Sequence, residues 1–278
     1  MEAVLDMSEK IQLHYLIGDV HKGGHDLHRV AKAIQKLLNA AGAFDTLMVC
    51  DDPDIGTMTF DDYFAAGLLQ KADVFIFNCG NYRFNDRAEQ KLLEDAVSNG
   101  AGFVFLHGDH PCYWPAAGYV PWPELEKMTG LMWREATSHG DFGDAHITVK
   151  NTEHPITQGI SDFDTTDEIF CTCENVWNVP LTVLASAYSD PNVISRHGRP
   201  GTGKQEPILT VGTYGKGRTV NHLLGHVWPF YSGHGLGENT MLSFVPQEFR
   251  KMLVRSCEWA ATGKVEKTAQ FDGRVKLL

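Results

Sequence analysis

Four apolar runs, IQLHYLIGD (11–19), DTLMVCDD (45–52), ADVFIFNCG (72–80) and AGFVFLHG (101–108), alternate with three segments of helical periodicity. This alternation leaves few folds open, because strands joined by helical crossovers lie parallel in one sheet and the crossovers are right-handed. The third and fourth runs are nearly all apolar between their ends, as strands covered on both faces must be. DLHRVAKAIQKLLNAAG (26–42) sets Leu27, Val30, Ala31, Ile34, Leu37, Leu38 and Ala41 at helical spacing. Asp26 fits as its N-cap and Gly42 as its C-terminal stop. FDDYFAAGLLQKA (60–72) and NDRAEQKLLEDAVSNG (85–100) supply two further helices, the latter with Leu92, Leu93, Ala96 and Val97 inward.

The second half is richer in strands: HITVK (146–150), LTVLASA (181–187), PILTVGT (207–213) and GRTVNHLLG (217–225). TYGKGR joins the last two as a Gly-rich hairpin turn, and PQEFRKMLVRSCEWAATG (246–263) closes the chain with an amphipathic helix. No repeat or linker composition interrupts the pattern. The expectation is one domain over residues 1–278, with a core of about 11–264 and a tail, 265–278, that packs as an extension or meets a second copy in a homo-oligomer.

Bulk properties exclude several function classes. A formal net charge of −11 argues against phosphate-backbone binding, so no nucleic acid partner is expected. No run of about 18 apolar residues predicts a membrane span, and the opening MEAVLDMSEK has no basic-then-apolar leader pattern. Six scattered cysteines without a CxxC pair suit reduced thiols in the cytoplasm. GRPGTGKQ (198–205) nearly fits the phosphate-binding GxxxxGK[ST], but Gln205 lacks the hydroxyl that helps hold Mg²⁺ and a strand follows instead of a helix. GTYGKG (212–217) joins two strands and is read as a turn, so no nucleotide cofactor is expected.

Polar groups gather where strands end. His21 and His25 follow the first strand, Asn81 and Arg83 the third, and His107 and His110 the fourth. His139, the Asp167-Glu168 pair and His226 come later. Carboxyl ends of parallel strands are where such sheets hold ligands. Imidazole with carboxylate suits a divalent metal or acid–base catalysis near neutral pH. His107 and His226 stand out because each ends an apolar strand beside glycine; His21, His28, His110, His146 and His154 read as structural.

GFVFLHG, the Trp/Tyr-rich segment after it, WPELEKMTGLMW, His139, HPITQGISDF, TTDEIF, VLASA, TVGTYGKGRTVNHLLGH and FRKMLVRSCEWAATG occur in one order. Together with GGHDLHRVAKAI they resemble the trehalose-utilisation (ThuA-like) family over about residues 11–264. The resemblance implies a flavodoxin-like, class I glutamine amidotransferase-like α/β fold. This is a three-layer sandwich with a mainly parallel sheet and a C-terminal β-hairpin. Amidotransferases carry a cysteine at the turn after the strand equivalent to GFVFLH. Here His107 stands there and Cys112 lies five residues on, which argues against glutaminase chemistry.

What the resemblance implies for function is a carbohydrate-processing protein. It would act on a keto-sugar or disaccharide derivative as an isomerase, lyase or hydrolase. Its positions put His107, His226 and Glu168 in catalytic roles. His107, His139, Glu168 and His226 become ligands for Zn²⁺ or Mn²⁺, and His25 falls on a further recurring polar position. Asn81 and Arg83, with His25, are expected to meet the sugar; Tyr113, Trp114 and Trp228, with Tyr119, Trp122 and Tyr231 as further aromatic candidates, stack on it or else pack a loop over the sheet edge. A non-catalytic sugar-binding or regulatory module is the alternative, and a hydrolase using Cys112 or Cys79 a third. Convergence of the polar groups to within about 5 Å separates the first reading from the second.

Overall fold

The computed structural model describes residues 9–18, 25–79, 84, 86–107, 122–195, 198–228 and 241–277. Its first half alternates β1 (Ile11–Ile17), α1 (Leu27–Ala41), β2 (Phe44–Val49), α2 (Phe60–Ala65), β3 (Val74–Asn78), α3 (Arg87–Asn99) and β4 (Gly102–Leu106). After α4 (Pro123–Thr129) come β5 (Ser138–His139), β6 (Gly143–Val149), β7 (Phe163–Asp167), β8 (Phe170–Cys171), β9 (Thr182–Tyr188), β10 (Gln205–Tyr214), β11 (Gly217–His222) and α5 (Gln247–Thr262).

One nine-stranded sheet runs in the order β2-β1-β3-β4-β11-β10-β9-β6-β7, and β5 pairs with β8 apart from it. Neighbours from β2 to β11 are parallel. From β11 onward they are antiparallel, and a two-residue turn joins β10 to β11. The chain leaves β1 toward β2 and returns to β3 on the other side of β1. That reversal opens a crevice at the carboxyl ends of the central strands.

Alternation along β3 and β4 divides the core. Val74, Ile76, Val104 and Leu106 pack with Val30, Ile34 and Leu37 of α1 and with Met252, Leu253 and Cys257 of α5. Phe75, Phe77, Phe103 and Phe105 face the other way, against Phe60 and Tyr63 of α2, Leu93 and Val97 of α3, and Leu125 and Met128 of α4. α1 begins and ends where the sequence predicts: the Asp26 carboxylate accepts the Arg29 N–H, and Gly42 adopts the left-handed conformation.

Besides the two-residue strands β5 and β8, three features differ from the sequence expectation. The helix expected over 60–72 stops at Ala65 and resumes as a 3₁₀ turn, Leu68–Lys71, because Gly67 at φ +63° breaks the helical path. β7 is absent from that expectation, since FDTTD lacks an apolar run; its Phe163, Thr165 and Asp167 are the buried positions. α4 is the third: its helical pattern covers only seven residues. The tail packs against its own chain. Glu258, buried in α5, accepts the N–H groups of Glu266, Lys267 and Thr268 and the Thr268 hydroxyl.

Two histidines are buried in this frame away from the crevice. His14 Nδ1 lies 2.7 Å from the Tyr63 hydroxyl. His222 Nε2 lies 2.9 Å from the Ser256 hydroxyl, whose own proton goes to the Met252 carbonyl. Burial lowers the first to a pKa of about 4, against the opposing pull of Asp73 and Asp45, and the second to about 3. The unfolded chain therefore binds protons first as pH falls. Stability should be fully present above about pH 6.5 and decline below it, by roughly 1.4 kcal/mol per pH unit for each histidine. Urea midpoints from pH 7.5 to 5, compared between the parent and His222→Gln, should show the variant's dependence on pH smaller by about one proton.

Candidate active site

Three histidines from distant parts of the chain meet beside the carboxyl ends of β1, β4 and β11. One ligand-capable nitrogen each of His25, His107 and His226 lies within 4.8 Å of the others. The backbone explains the convergence. His107 directly follows the buried strand β4. His226 follows Gly225, whose φ of +117° suits only glycine and turns the chain sharply after β11. His25 is carried by the start of α1. The Asp26 N–H donates to the Val227 carbonyl at 2.8 Å, and the Arg29 guanidinium bridges the Asp26 carboxylate and the Trp228 carbonyl, each at 2.8 Å. These bonds press α1 onto segment 226–228, and the His25 ring comes to 4.6 Å from the His226 ring.

Hydrogen bonding fixes the tautomers. His107 Nδ1 is 2.7 Å from the Leu223 carbonyl, which only accepts, so this nitrogen carries the proton. Burial lowers the His107 pKa to about 4, with the Leu223 bond opposing and His139 adding to the shift. Neutral at pH 7, the ring keeps a lone pair on Nε2, 3.0 Å from His226 Nδ1, so His226 is the donor in that contact. A protonated nitrogen anchored on a carbonyl, with the other nitrogen facing the cluster, is the arrangement that orients metal-binding imidazoles.

Glu168 stands behind this group. Its Oε2 lies 3.5 Å from His226 Nδ1 and 3.4 Å from His139 Nδ1, and the carboxylate is almost fully buried. His139 donates its Nδ1 proton to the Gly140 carbonyl at 2.7 Å. Pairing of His139 with Phe170 between β5 and β8 brings it there. Aromatic rings wall the cluster: Phe170 is 4.4 Å from His107, Trp228 4.6 Å and Phe142 6.1 Å from His226, and Trp133 5.9 Å from His139.

Asp167, beside Glu168, is buried and points into the same corner. Its carboxylate accepts the N–H groups of Gly225 at 2.8 Å, of His226 at 3.2 Å and of Glu168 at 2.8 Å. Burial raises its pKa to about 7 against the lowering effect of those three donors.

The sequence-derived set is thus partly regrouped. His107, His226, Glu168 and His139 come together, but the tight nitrogen cluster takes His25, expected as a sugar contact, in place of His139 and Glu168. Trp228 lies beside the site, 7% exposed. Trp122 does not: it is buried among Phe77 and Phe84 and donates its indole N–H to Glu94 at 2.7 Å, so it is a core residue. Asn81, Arg83, Tyr113, Trp114, Tyr119, Tyr231, Cys112, His21 and His110 lie outside the described residues. Cys79 is buried in the aromatic core cluster around Phe77 and Phe84. His28 and His146 pair with Asp52 and Asp164 at the surface, and His154 packs on Trp259. Sequence reading missed Asp167 as a backbone anchor, and missed Phe142, Phe170 and Trp133 as walls. The one available signal was His25 standing directly before a helix N-cap.

The trehalose-utilisation (ThuA) family profile matches residues 16–260. The chain belongs to that family. The match covers every residue of the site, from His25 to His226. Among solved structures, a protein from Parabacteroides merdae described as ThuA-like aligns with a TM-score of 0.70 at 20% identity, covering 92% of each chain. A second so described, from Bacteroides uniformis, gives 0.61 at 19% identity, over 92% of this chain and 93% of its own. A Salmonella typhimurium LT2 protein described as cytoplasmic gives 0.51 at 15%, over 90% and 99%. Among curated proteins, none matches the chain. These likenesses establish the shared fold. Among the described residues no helix is long and apolar enough to cross a membrane.

Two outcomes follow from the geometry. ¹⁵N shifts of the His107 ring should report the neutral Nδ1–H tautomer from pH 8 down to about 5; a titration near pH 6.5 would contradict the buried bond to Leu223. Trp122→Phe should lower stability in urea by about 1–3 kcal/mol, by removing a donor from the buried Glu94 carboxylate, without moving the His107 signals.

Proposed function

We propose that the protein is a carbohydrate-processing enzyme of the trehalose-utilisation type, acting in the cytoplasm on a keto-sugar or disaccharide derivative. The observation that carries this reading is the convergence of His25, His107 and His226 within 4.8 Å, with the Glu168 carboxylate against His226. A sugar-binding module has no need of three imidazoles at that spacing, two of them buried. The fold is read with it as the flavodoxin-like, amidotransferase-like sandwich whose nucleophile corner has become a histidine corner. A shared scaffold carrying changed chemistry is common.

The donor set fits a divalent cation such as Zn²⁺ or Mn²⁺. His25, His107 and His226 would hold it, since His107 Nδ1 is committed to Leu223 while Nε2 faces the cluster. Such an ion supplies Lewis acidity toward a carbonyl oxygen. The protein's own groups do the rest. A keto group acidifies the neighbouring C–H, and Glu168, or an imidazole beside it, takes that proton in this reading. The electron pair then forms the enolate. Isomerisation follows if the proton is returned to the former carbonyl carbon while the neighbouring hydroxyl passes its proton to the old carbonyl oxygen and becomes the new keto group. Elimination follows if the β-carbon–oxygen bond breaks and the group that took the proton returns it to the departing oxygen. Phe170, Trp228 and Phe142 exclude water and offer faces to the apolar side of a sugar ring.

Incubation with a 3-keto-glycoside in D₂O, followed by NMR, tests the chemistry. The intact protein should exchange the C–H next to the keto group, and Glu168→Gln should slow that exchange by about 10²-fold or more. Elemental analysis after equilibration with Zn²⁺ or Mn²⁺ should find about one ion per chain, and none in a His107→Ala, His226→Ala double variant. Sugar binding without exchange, and without metal in either sample, would assign the site to a binding module instead.

A further inference from the structure

We infer that Asp167 is a positioning residue. Its buried carboxylate holds the backbone corner that aims His226 at His107 and, through the adjoining peptide, sets Glu168. The inference rests on reading His226 and Glu168 as working groups of the site, and it concerns how they are held.

The carboxylate works from outside the element it controls. Asp167 ends β7, the edge strand of the sheet, whereas Gly225 and His226 follow β11, four strands away in sheet order. Oδ2 accepts the Gly225 N–H at 2.8 Å, and Oδ1 accepts the His226 N–H at 3.2 Å. Oδ1 also accepts the N–H of the next residue, Glu168, at 2.8 Å. One side chain thereby fixes the backbone of both residues flanking the His226 Nδ1 contact. Hydrogen bonds in a buried, low-dielectric setting are stronger than the same bonds in water.

The corner has further tethers, which makes its geometry specific. Leu223 gives its N–H to the Ile208 carbonyl and takes the His107 Nδ1 proton on its own carbonyl. The Ser243 hydroxyl donates to the His226 carbonyl at 2.7 Å. These bonds hold Leu223 and the far side of the His226 peptide. The Gly225 and His226 N–H groups, at the bend where φ reaches +117°, are held by Asp167. A corner in that conformation needs an acceptor facing two successive N–H groups, and a carboxylate supplies both oxygens.

The test reads His226 directly and needs neither substrate nor metal. Its failure is therefore distinguishable from failure of the carbohydrate reading. In ¹⁵N-histidine-labelled protein, the His226 ring should show a single fixed tautomer with a slowly exchanging Nδ1–H. In Asp167→Asn, which keeps one acceptor oxygen, that signature should weaken. In Asp167→Ala it should be lost to an exchange average, while the His14 and His222 rings stay unchanged as internal standards. Unchanged His226 signals in a folded Asp167→Asn chain overturn the inference and leave Asp167 a structural residue only. Should neither variant fold, amide exchange in the unaltered protein decides. Protection of the Gly225 and His226 amides matching that of β11 supports the clamp, and exchange within minutes overturns it.

Discussion

The bond from His107 Nδ1 to the Leu223 carbonyl is the contact on which the rest of the site depends. It joins the end of β4 to the end of β11 and fixes which nitrogen of His107 carries the proton. With that choice made, Nε2 can only accept, His226 must donate to it, and Glu168 faces the same His226 nitrogen. A hydrogen bond to a carbonyl is modest in free energy. Its effect here is directional, because a neutral imidazole has only two ways to hold its proton and this bond removes one.

The scaffold makes that bond available at little cost. β3 and β4 are buried on both faces, so their ends are placed by packing as well as by hydrogen bonding. β11 is parallel to β4, with Leu106 opposite His222, and the two strands finish together. Chain segments that follow them are then forced into neighbouring turns. The α1 N-terminus closes the third side because Asp26 both caps its helix and donates its N–H to the Val227 carbonyl.

Much of this architecture was legible in the sequence. The alternation of apolar runs and helical stripes predicted β1 to β4 and α1 to α3, and Asp26 and Gly42 marked the limits of α1. Apolar periodicity reports burial directly, which is why these segments read clearly. β7 did not, since FDTTD buries two polar residues on its inward face. Trp122 was ambiguous for the opposite reason. A tryptophan in an aromatic segment looks alike whether it faces a ligand or a buried carboxylate, and only the Glu94 contact separates the two.

The sequence by itself determined the β-α alternation, the family and the presence of histidines at strand ends, because each is a local pattern or an ordered set of motifs. Tertiary structure alone decided which histidines belong together. His25 joined His107 and His226, while His139 was placed against Glu168. Residues separated by 82 and 119 positions share no local signal. Their meeting follows from strand order, from the bend at Gly225 and from the docking of α1. The role of Asp167 was hidden for the same reason: a carboxylate at the end of an edge strand acquires its partners only when the sheet brings another strand's turn to it.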